Sequence, residues 1–207
     1  MKSVTKILFL VLVLISACQH SQKQANKNIK SGESNITSTE YKTKSGKKFI
    51  VHIDNSVGAS ICEVQIETGE FTAVNTTHRL GTIDPVKEVF VTDLDKNGYE
   101  EIYLVTQSAG SGSYSNIYGI ASNNDRSATP VYVPVISEKQ MEKGGLFEGY
   151  MGHNNFYLEQ EKLINAFPVY KKDDTNAHPT GGNRKIEYRL VAGEAGWILE
   201  AFQLITE

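Results

Sequence analysis

Hydrophobic and polar residues alternate with a period of two along much of the chain from Tyr41 onward. The alternation is clear in KKFIVHID and ASICEVQIET, and shorter apolar runs such as EIYLVTQS end at polar turns. Such alternation predicts β-strands that bury one face. No long segment has the three-to-four residue period of an amphipathic helix. The pattern therefore predicts an all-β fold, an antiparallel β-sandwich of about eight strands.

The second half of the chain is less regular. TPVYVPVI alternates but contains Pro130 and Pro134, which suits an edge strand because proline has no N–H to donate to a neighbour. SEKQMEKGG predicts a short helix near residues 137–145. NNFYLEQEKLINAFPVY predicts either two short strands around a turn or a strand that follows a brief helix.

The first 17 residues have the composition of a targeting segment. MKSVTK carries two lysines, and ILFLVLVLISA is apolar but too short to span a bilayer as a stable helix. The following box, Ile15-Ser16-Ala17-Cys18, resembles the lipobox of bacterial lipoproteins. That resemblance implies a signal peptide at residues 1–17 and a lipidated Cys18. It places the protein in the cell envelope, anchored to the outer membrane and facing the periplasm.

Residues 18–40 are polar and rich in Ser, Asn, Lys and Gln. This composition predicts a disordered tether that follows Cys18. The β-rich remainder, residues 41–207, is predicted to be a single domain. The mature chain then has Cys62 as its one free thiol, in a strand pattern that predicts a buried, inert side chain.

The charge of the chain restricts its partners. The full sequence has 21 basic and 24 acidic residues, and loss of Lys2 and Lys6 with the signal peptide leaves 19 basic residues and a net charge near −5. A nucleic-acid-binding protein needs a basic face, so we expect no nucleic-acid partner. A net negative charge suits a cationic partner.

An acidic turn follows the run VKEVFV. Asp93, Asp95 and Asn97 stand at alternate positions before a glycine, a spacing that lets side-chain oxygens converge on a cation such as calcium. The twelfth loop position of an EF-hand is Leu104 here, so Glu101 would have to supply the last ligand. The same residues also suit an Asx-stabilised β-turn without metal. The spacing favours this metal-free alternative, and we expect no cofactor.

The loop SAGSGSYSN follows the run EEIYLVT. A phosphate-binding loop would need a lysine and a following helix, and a nucleophilic serine would need the complete G-x-S-x-G pattern. The loop has neither, and no histidine is placed to complete a triad. We therefore predict no catalytic residues and no enzyme activity. The remaining interpretation is that the loop presents serine hydroxyls and Tyr114 to a partner.

Two segments together resemble the periplasmic inhibitors of invertebrate-type lysozyme. The tetrapeptide Ser111-Gly112-Ser113-Tyr114 matches the S-G-x-Y loop of lysozyme inhibitors. Residues 89–122 resemble the central hairpin of that family, and residues 173–184 resemble its D-x-N-x-x-P-T-G-G turn. The resemblance covers most of residues 85–200 in outline.

The resemblance implies a β-sandwich whose loop enters the active-site cleft of a lysozyme. Ser111, Gly112, Ser113 and Tyr114 would bind the cleft, with Ser111 and Tyr114 supplying the side-chain contacts and the glycines allowing a close approach of the backbone. The family also uses a basic residue near the loop, for which Arg126 is the matching position. The implied partners are a lysozyme and, through the lipid anchor, a membrane. The oligomeric state stays open, with a homodimer among the alternatives.

Overall fold

The computed structural model describes residues 35–205, and these residues form two sheets and one short helix. The all-β sandwich predicted from the alternating pattern is confirmed, with twelve strands over the described residues instead of about eight. The strands are β1 (Ile36–Lys42), β2 (Lys48–Asp54), β3 (Cys62–Gly69), β4 (Thr77–Ile83), β5 (Val86–Thr92), β6 (Glu101–Gln107), β7 (Ser115–Asn123), β8 (Ser127–Tyr132), β9 (Asn155–Glu159), β10 (Lys162–Pro168), β11 (Asn183–Ala192) and β12 (Trp197–Leu204), with the helix α1 (Glu138–Met141) between β8 and β9.

The first sheet is an antiparallel meander in the order β1–β2–β3–β4. Strand β3 alternates between buried and more exposed positions, with Cys62, Val64 and Ile66 almost fully buried. The Cys62 thiol is inaccessible to solvent, and burial raises its pKa. Both findings agree with the prediction of an inert core cysteine.

The first strand begins earlier than the sequence predicted. Strand β1 pairs with β2 along its whole length, from Ile36 opposite Asp54 to Lys42 opposite Lys48. Residues 36–40 therefore belong to the sheet, and the domain boundary expected at residue 41 is too late. Their Ser, Thr and Glu side chains lie on an edge strand, where polar residues are common, which explains why composition suggested a tether. The predicted signal peptide, Cys18 and the rest of the tether lie outside the described residues.

The second sheet has the order β5–β6–β7–β8–β12–β11–β10–β9. All neighbours are antiparallel except β8 and β12, which are parallel and pair only at Val131 and Tyr132. The prediction of an edge strand for TPVYVPVI is wrong, because β8 has a partner on each side. The short contact with β12 begins only after Pro130, so this pairing does not need the missing proline N–H.

Strand β6, the neighbour of the edge strand β5, is buried on both faces. Ile102 and Leu104 pack with the first sheet, whereas Tyr103 and Val105 face the core of the second sheet. This arrangement explains the nearly continuous apolar run in the sequence. Each fully buried side chain of this size contributes about 1.5–3 kcal/mol to stability. Strand β6 is therefore a rigid base for the two loops that extend from its ends.

The segment between β8 and β10 contains the short helix and a hairpin. Ser137 caps α1, and its side chain and that of Gln140 form a reciprocal capping box. The helix predicted near residues 137–145 is confirmed. Strands β9 and β10 pair around a turn at Gln160 and Glu161, so the two-strand alternative is the correct one. Within residues 35–205, no helix is long and apolar enough to cross a membrane.

Candidate functional site

The loop between β6 and β7 is a closed turn. Ser108 donates its backbone N–H to the carbonyl oxygen of Tyr114 at 2.8 Å, and Tyr114 donates its own N–H to the Ser108 hydroxyl at 2.9 Å. Inside this ring, the N–H of Ser113 donates to the carbonyl of Gly110 at 2.9 Å. The loop is thus a defined structure despite a sequence of small residues.

The two serines beside Gly112 have different roles. Ser113 has a backbone φ of 43°, and its hydroxyl accepts a hydrogen bond from Gln107 Nε2 at 2.7 Å. Its side chain therefore serves the loop itself. Ser111 is exposed, and its backbone carbonyl accepts a hydrogen bond from the Asn176 side chain. Of the two serines in the predicted motif, Ser111 is the one placed to meet a partner.

Two glycines allow the loop to pack closely. A Cβ on Gly112 would lie 2.5 Å from Cε2 of Tyr114, so the tyrosine ring rests directly on this glycine. Gly152 has a φ of +92°, and a Cβ there would lie 2.2 Å from the carbonyl oxygen of Gly112. Any larger residue at either position would displace the loop.

Two distant segments hold the loop through its backbone. His153 donates its N–H to the carbonyl of Gly112 at 2.7 Å, and Asn176 Nδ2 donates to the carbonyl of Ser111 at 2.8 Å. Asn176 is itself fixed, because its Oδ1 lies 3.2 Å from His153 Nε2 and its carbonyl accepts the Tyr170 hydroxyl at 2.9 Å. The motif loop is therefore braced from residues 153 and 170–176.

A buried polar network anchors the base of the loop. The side chain of Asn154, which is 1% exposed, accepts the N–H of Ser115 at 2.8 Å and donates to the carbonyl of Ser115 at 3.0 Å. The Ser115 hydroxyl donates to the carbonyl of Asn154 at 2.7 Å. Asn165 and the Tyr150 hydroxyl complete the set of partners. Ser115 directly follows Tyr114, so the network fixes the point where the loop joins β7.

Tyr114 forms the rim of an apolar groove of about 540 Å³. Tyr114 is 44% exposed, and its ring meets the ring of Tyr150 edge to face, with centroids 5.9 Å apart. Tyr132 and Val135, which also line the groove, are 63% and 87% exposed. Exposed large apolar side chains gathered around one concavity are typical of a binding surface.

Arg126 lies far from this surface. It is in the turn between β7 and β8, where its carbonyl accepts the N–H groups of Ala73 and Val74. The nine residues of β7 separate this turn from Tyr114, a distance of about 30 Å along the strand. The structure therefore does not bring Arg126 together with the Ser111–Tyr114 loop, because spacing in sequence did not reveal that a whole strand lies between them.

The predicted acidic residues lie in the β5–β6 turn, at the opposite end of β6 from the motif loop. Asp93 accepts the N–H groups of Asn97 and Gly98 at 3.0 and 2.9 Å, which is the Asx-type bonding expected from the sequence. Glu101 is 1% exposed and accepts the N–H of Leu94 at 3.0 Å. Burial, together with the nearby charges of Asp95, Asp93 and Glu100, raises the pKa of Glu101 to about 8.

The supporting residues of the loop were missed by sequence reasoning. Gly152, His153 and Asn154 lie between residues 89–122 and 173–184, the two segments that carry the family resemblance, and their short polar sequence has no periodic signal. Asn176 lies within the resemblance segment 173–184, but nothing local connects it to Ser111. No family model, curated protein or solved structure matches the chain. The lysozyme-inhibitor resemblance thus stays a prediction.

Proposed function

We propose that this protein is an envelope-anchored inhibitor of lysozyme, most closely suited to the invertebrate type, that acts by inserting its β6–β7 loop into the active-site cleft. The observation that carries the proposal is the exposed ring of Tyr114, held on Gly112 and beside Tyr150 at the rim of an apolar groove. The target is taken from the family resemblance of the loop and its flanking strands. Catalysis by this chain is not required, because occupation of the cleft is sufficient.

The rigidity of the loop supports this mode of action. A loop that must be ordered on binding loses affinity to conformational entropy, about 0.5–1.5 kcal/mol per immobilised side chain. Backbone bonds from His153 and Asn176 and the ring contact with Tyr150 order this loop in the free protein. Tyrosine adds a large rigid face and a hydrogen-bonding tip, the properties of interface hot spots.

The chemistry of a lysozyme cleft matches the groups that the loop exposes. Glycoside hydrolysis of this type uses carboxylic acids on either side of the scissile bond. The Ser111 hydroxyl can donate a hydrogen bond to such a carboxylate, while Tyr114 fills a sugar subsite. Ser113 takes no part in this contact, since its hydroxyl is bonded to Gln107. The anchor at Cys18 would keep the inhibitor beside the cell wall.

The test is inhibition of cell-wall lysis by invertebrate-, chicken- and goose-type lysozymes. We expect selective inhibition of the invertebrate type, and a loss of about 2 kcal/mol or roughly 30-fold in affinity for each of Ser111→Ala and Tyr114→Ala. Arg126→Ala is the matched control and should leave inhibition unchanged, because that side chain is at the other end of β7. Inhibition that survives the Ser111→Ala, Tyr114→Ala double variant would refute loop insertion.

A further inference from the structure

Three carboxylates converge in the β5–β6 turn, outside the loop considered above. One oxygen from each of Asp93, Asp95 and Glu101 lies within 4.8 Å of the others. A calcium ion binds oxygen at about 2.3–2.6 Å, so a single ion placed among them can reach all three. Their positions in the chain, first, third and ninth, are close enough for one turn to supply them.

The turn is organised so that these oxygens face one another. Asn97 and Gly98 donate their N–H groups to Asp93, and Asn97 Nδ2 donates to Asp95 Oδ2 at 2.9 Å. The N–H of Leu94 holds Glu101 Oε2 at 3.0 Å and directs the buried carboxylate toward the turn. These bonds define the shape of the turn and keep the three carboxyl groups beside one another.

The surroundings of Glu101 supply a second, independent observation. Tyr103, on the same face of β6, is inaccessible to solvent, and its hydroxyl has no hydrogen-bond partner among residues 35–205. Glu101 and Tyr103 stand at alternate positions of β6, so both side chains are on the same face of the strand. Burial raises the pKa of Tyr103 most, and the nearby Glu101 and Asp95 raise it further. A buried acid and an unpartnered buried hydroxyl are costly unless a further group completes the site.

The basic residues near this turn are engaged elsewhere. Lys96 Nζ lies 3.9 Å from Glu161, and Lys44 Nζ lies 3.3 Å from Glu100. Glu100 also accepts the backbone N–H of Lys44, so it faces the β1–β2 hairpin. Neither lysine is therefore paired with the three converging carboxylates.

We propose that Asp93, Asp95 and Glu101 form a calcium site that ties the β5–β6 turn to the buried start of β6. All three donors are hard oxygen ligands, which suit Ca²⁺ and Mg²⁺ and not thiophilic metals. Calcium fits better, because it accepts irregular geometry, whereas Mg²⁺ demands a near-ideal octahedron and keeps most of its waters. Solvent or backbone oxygens complete the coordination at the exposed side of the turn.

The test measures the melting temperature and calorimetric binding of the purified full chain with CaCl₂ and with MgCl₂. We expect about 1 mM Ca²⁺ to raise Tm by roughly 5 °C or more, a chelator to reverse the shift, and equal Mg²⁺ to give a smaller one. Asp95→Asn and Glu101→Gln should lose most of the shift. Asp54→Asn, in an exposed Asx turn with one carboxylate, is the matched control and should keep it.

The glutamine variant also separates metal binding from folding. Glu101→Gln keeps the oxygen that accepts the Leu94 N–H and cannot ionise in its buried position, so the metal-free protein should stay folded with an unchanged or higher Tm. No binding heat and no Tm shift in the parent protein would overturn the proposal. So would a shift of equal size with Mg²⁺, or one that persists in both Asp95→Asn and Glu101→Gln. Lysis inhibition is a separate readout, and its presence or absence has no bearing on these outcomes.

Discussion

Strand β6 carries a loop at each end, and the two loops differ in how far away their partners lie. The β5–β6 turn is held by local bonds, because Asp93 and Glu101 accept N–H groups at most seven residues away. The β6–β7 loop has local bonds too, but it is also braced by distant residues, Asn176 at 65 positions from Ser111 and Asn154 at 39 positions from Ser115. A loop of the first kind can form as soon as its strands pair, whereas one of the second kind needs most of the domain.

The two loops also differ in their charge. The β5–β6 turn concentrates like charges beside a buried position, so its stability responds to protons and cations. The β6–β7 loop consists of neutral groups whose donors and acceptors are paired within the protein, so its shape depends on side chains elsewhere in the fold. We therefore expect solution conditions to act on the first loop and distant substitutions to act on the second.

The largest expected effect is a dependence of stability on pH that originates at Glu101. In metal-free protein its pKa is raised from 4.5 to about 8, so folding favours the protonated acid. The resulting stabilisation is complete below pH 4.5 and is lost as pH rises to 8, a change of roughly 4–5 kcal/mol. Urea unfolding at a series of pH values measures it. Glu101→Gln should show a clearly flatter profile, and identical profiles would contradict this origin.

The second prediction concerns the anchor of the β6–β7 loop. Asn154→Ala leaves the N–H of Ser115, the Asn165 side chain and the Tyr150 hydroxyl without their partner in a buried site. We expect a loss of about 3 kcal/mol in the free energy of unfolding. Asn116→Ala, on an exposed position of β7, is the control and should cost less than about 0.5 kcal/mol. Equal costs for the two variants would show that the network does not stabilise the fold.

The smallest effect on stability, and the most selective, is expected at Asn176. Its exposed side chain braces the carbonyl of Ser111, so Asn176→Ala should cost less than about 1 kcal/mol in unfolding free energy. Lysozyme inhibition should nevertheless weaken by about tenfold, since the loop must then be ordered on binding. Asn55→Ala, an exposed asparagine outside the site, should affect neither quantity. Unchanged inhibition in Asn176→Ala would mean that the brace is not needed for function.

The strands were predictable because their signal is local. Alternation in KKFIVHID and ASICEVQIET predicted β2 and β3 at nearly their observed bounds, since one buried face imposes a period of two. The turn chemistry of Asp93 and Asn97 was also readable, because Asx bonds span only a few residues. Strand β6 is a nearly continuous apolar run in the sequence, which is typical of a strand buried on both faces. The sequence alone does not show which part of the fold covers each face.

The predictions that failed concern residues whose contacts are distant in sequence. Pro130 suggested an edge strand, but the parallel pairing of β8 with β12 involves residues more than sixty positions apart. The family resemblance grouped Arg126 with the motif loop, although the two lie beyond opposite ends of strand β7. Gly152 and His153 carry no pattern that links them to Gly112. In each case the missing information is a long-range contact, which periodicity does not encode.

The short pairing between β8 and β12 also affects the order in which parts of the protein can fold. The chain emerges from the ribosome with its N-terminal strands first, and residues 35–132 include the motif loop but none of its braces. The second sheet is continued only by the pairing of Val131 and Tyr132 with Trp197 and Ile198. The segment that carries His153 and Asn176 therefore reaches the loop late. Until it does, the loop lacks the bonds from His153 and Asn176, and Tyr114 lacks its ring contact with Tyr150. The binding surface is therefore complete only in a chain whose C-terminal strands are in place.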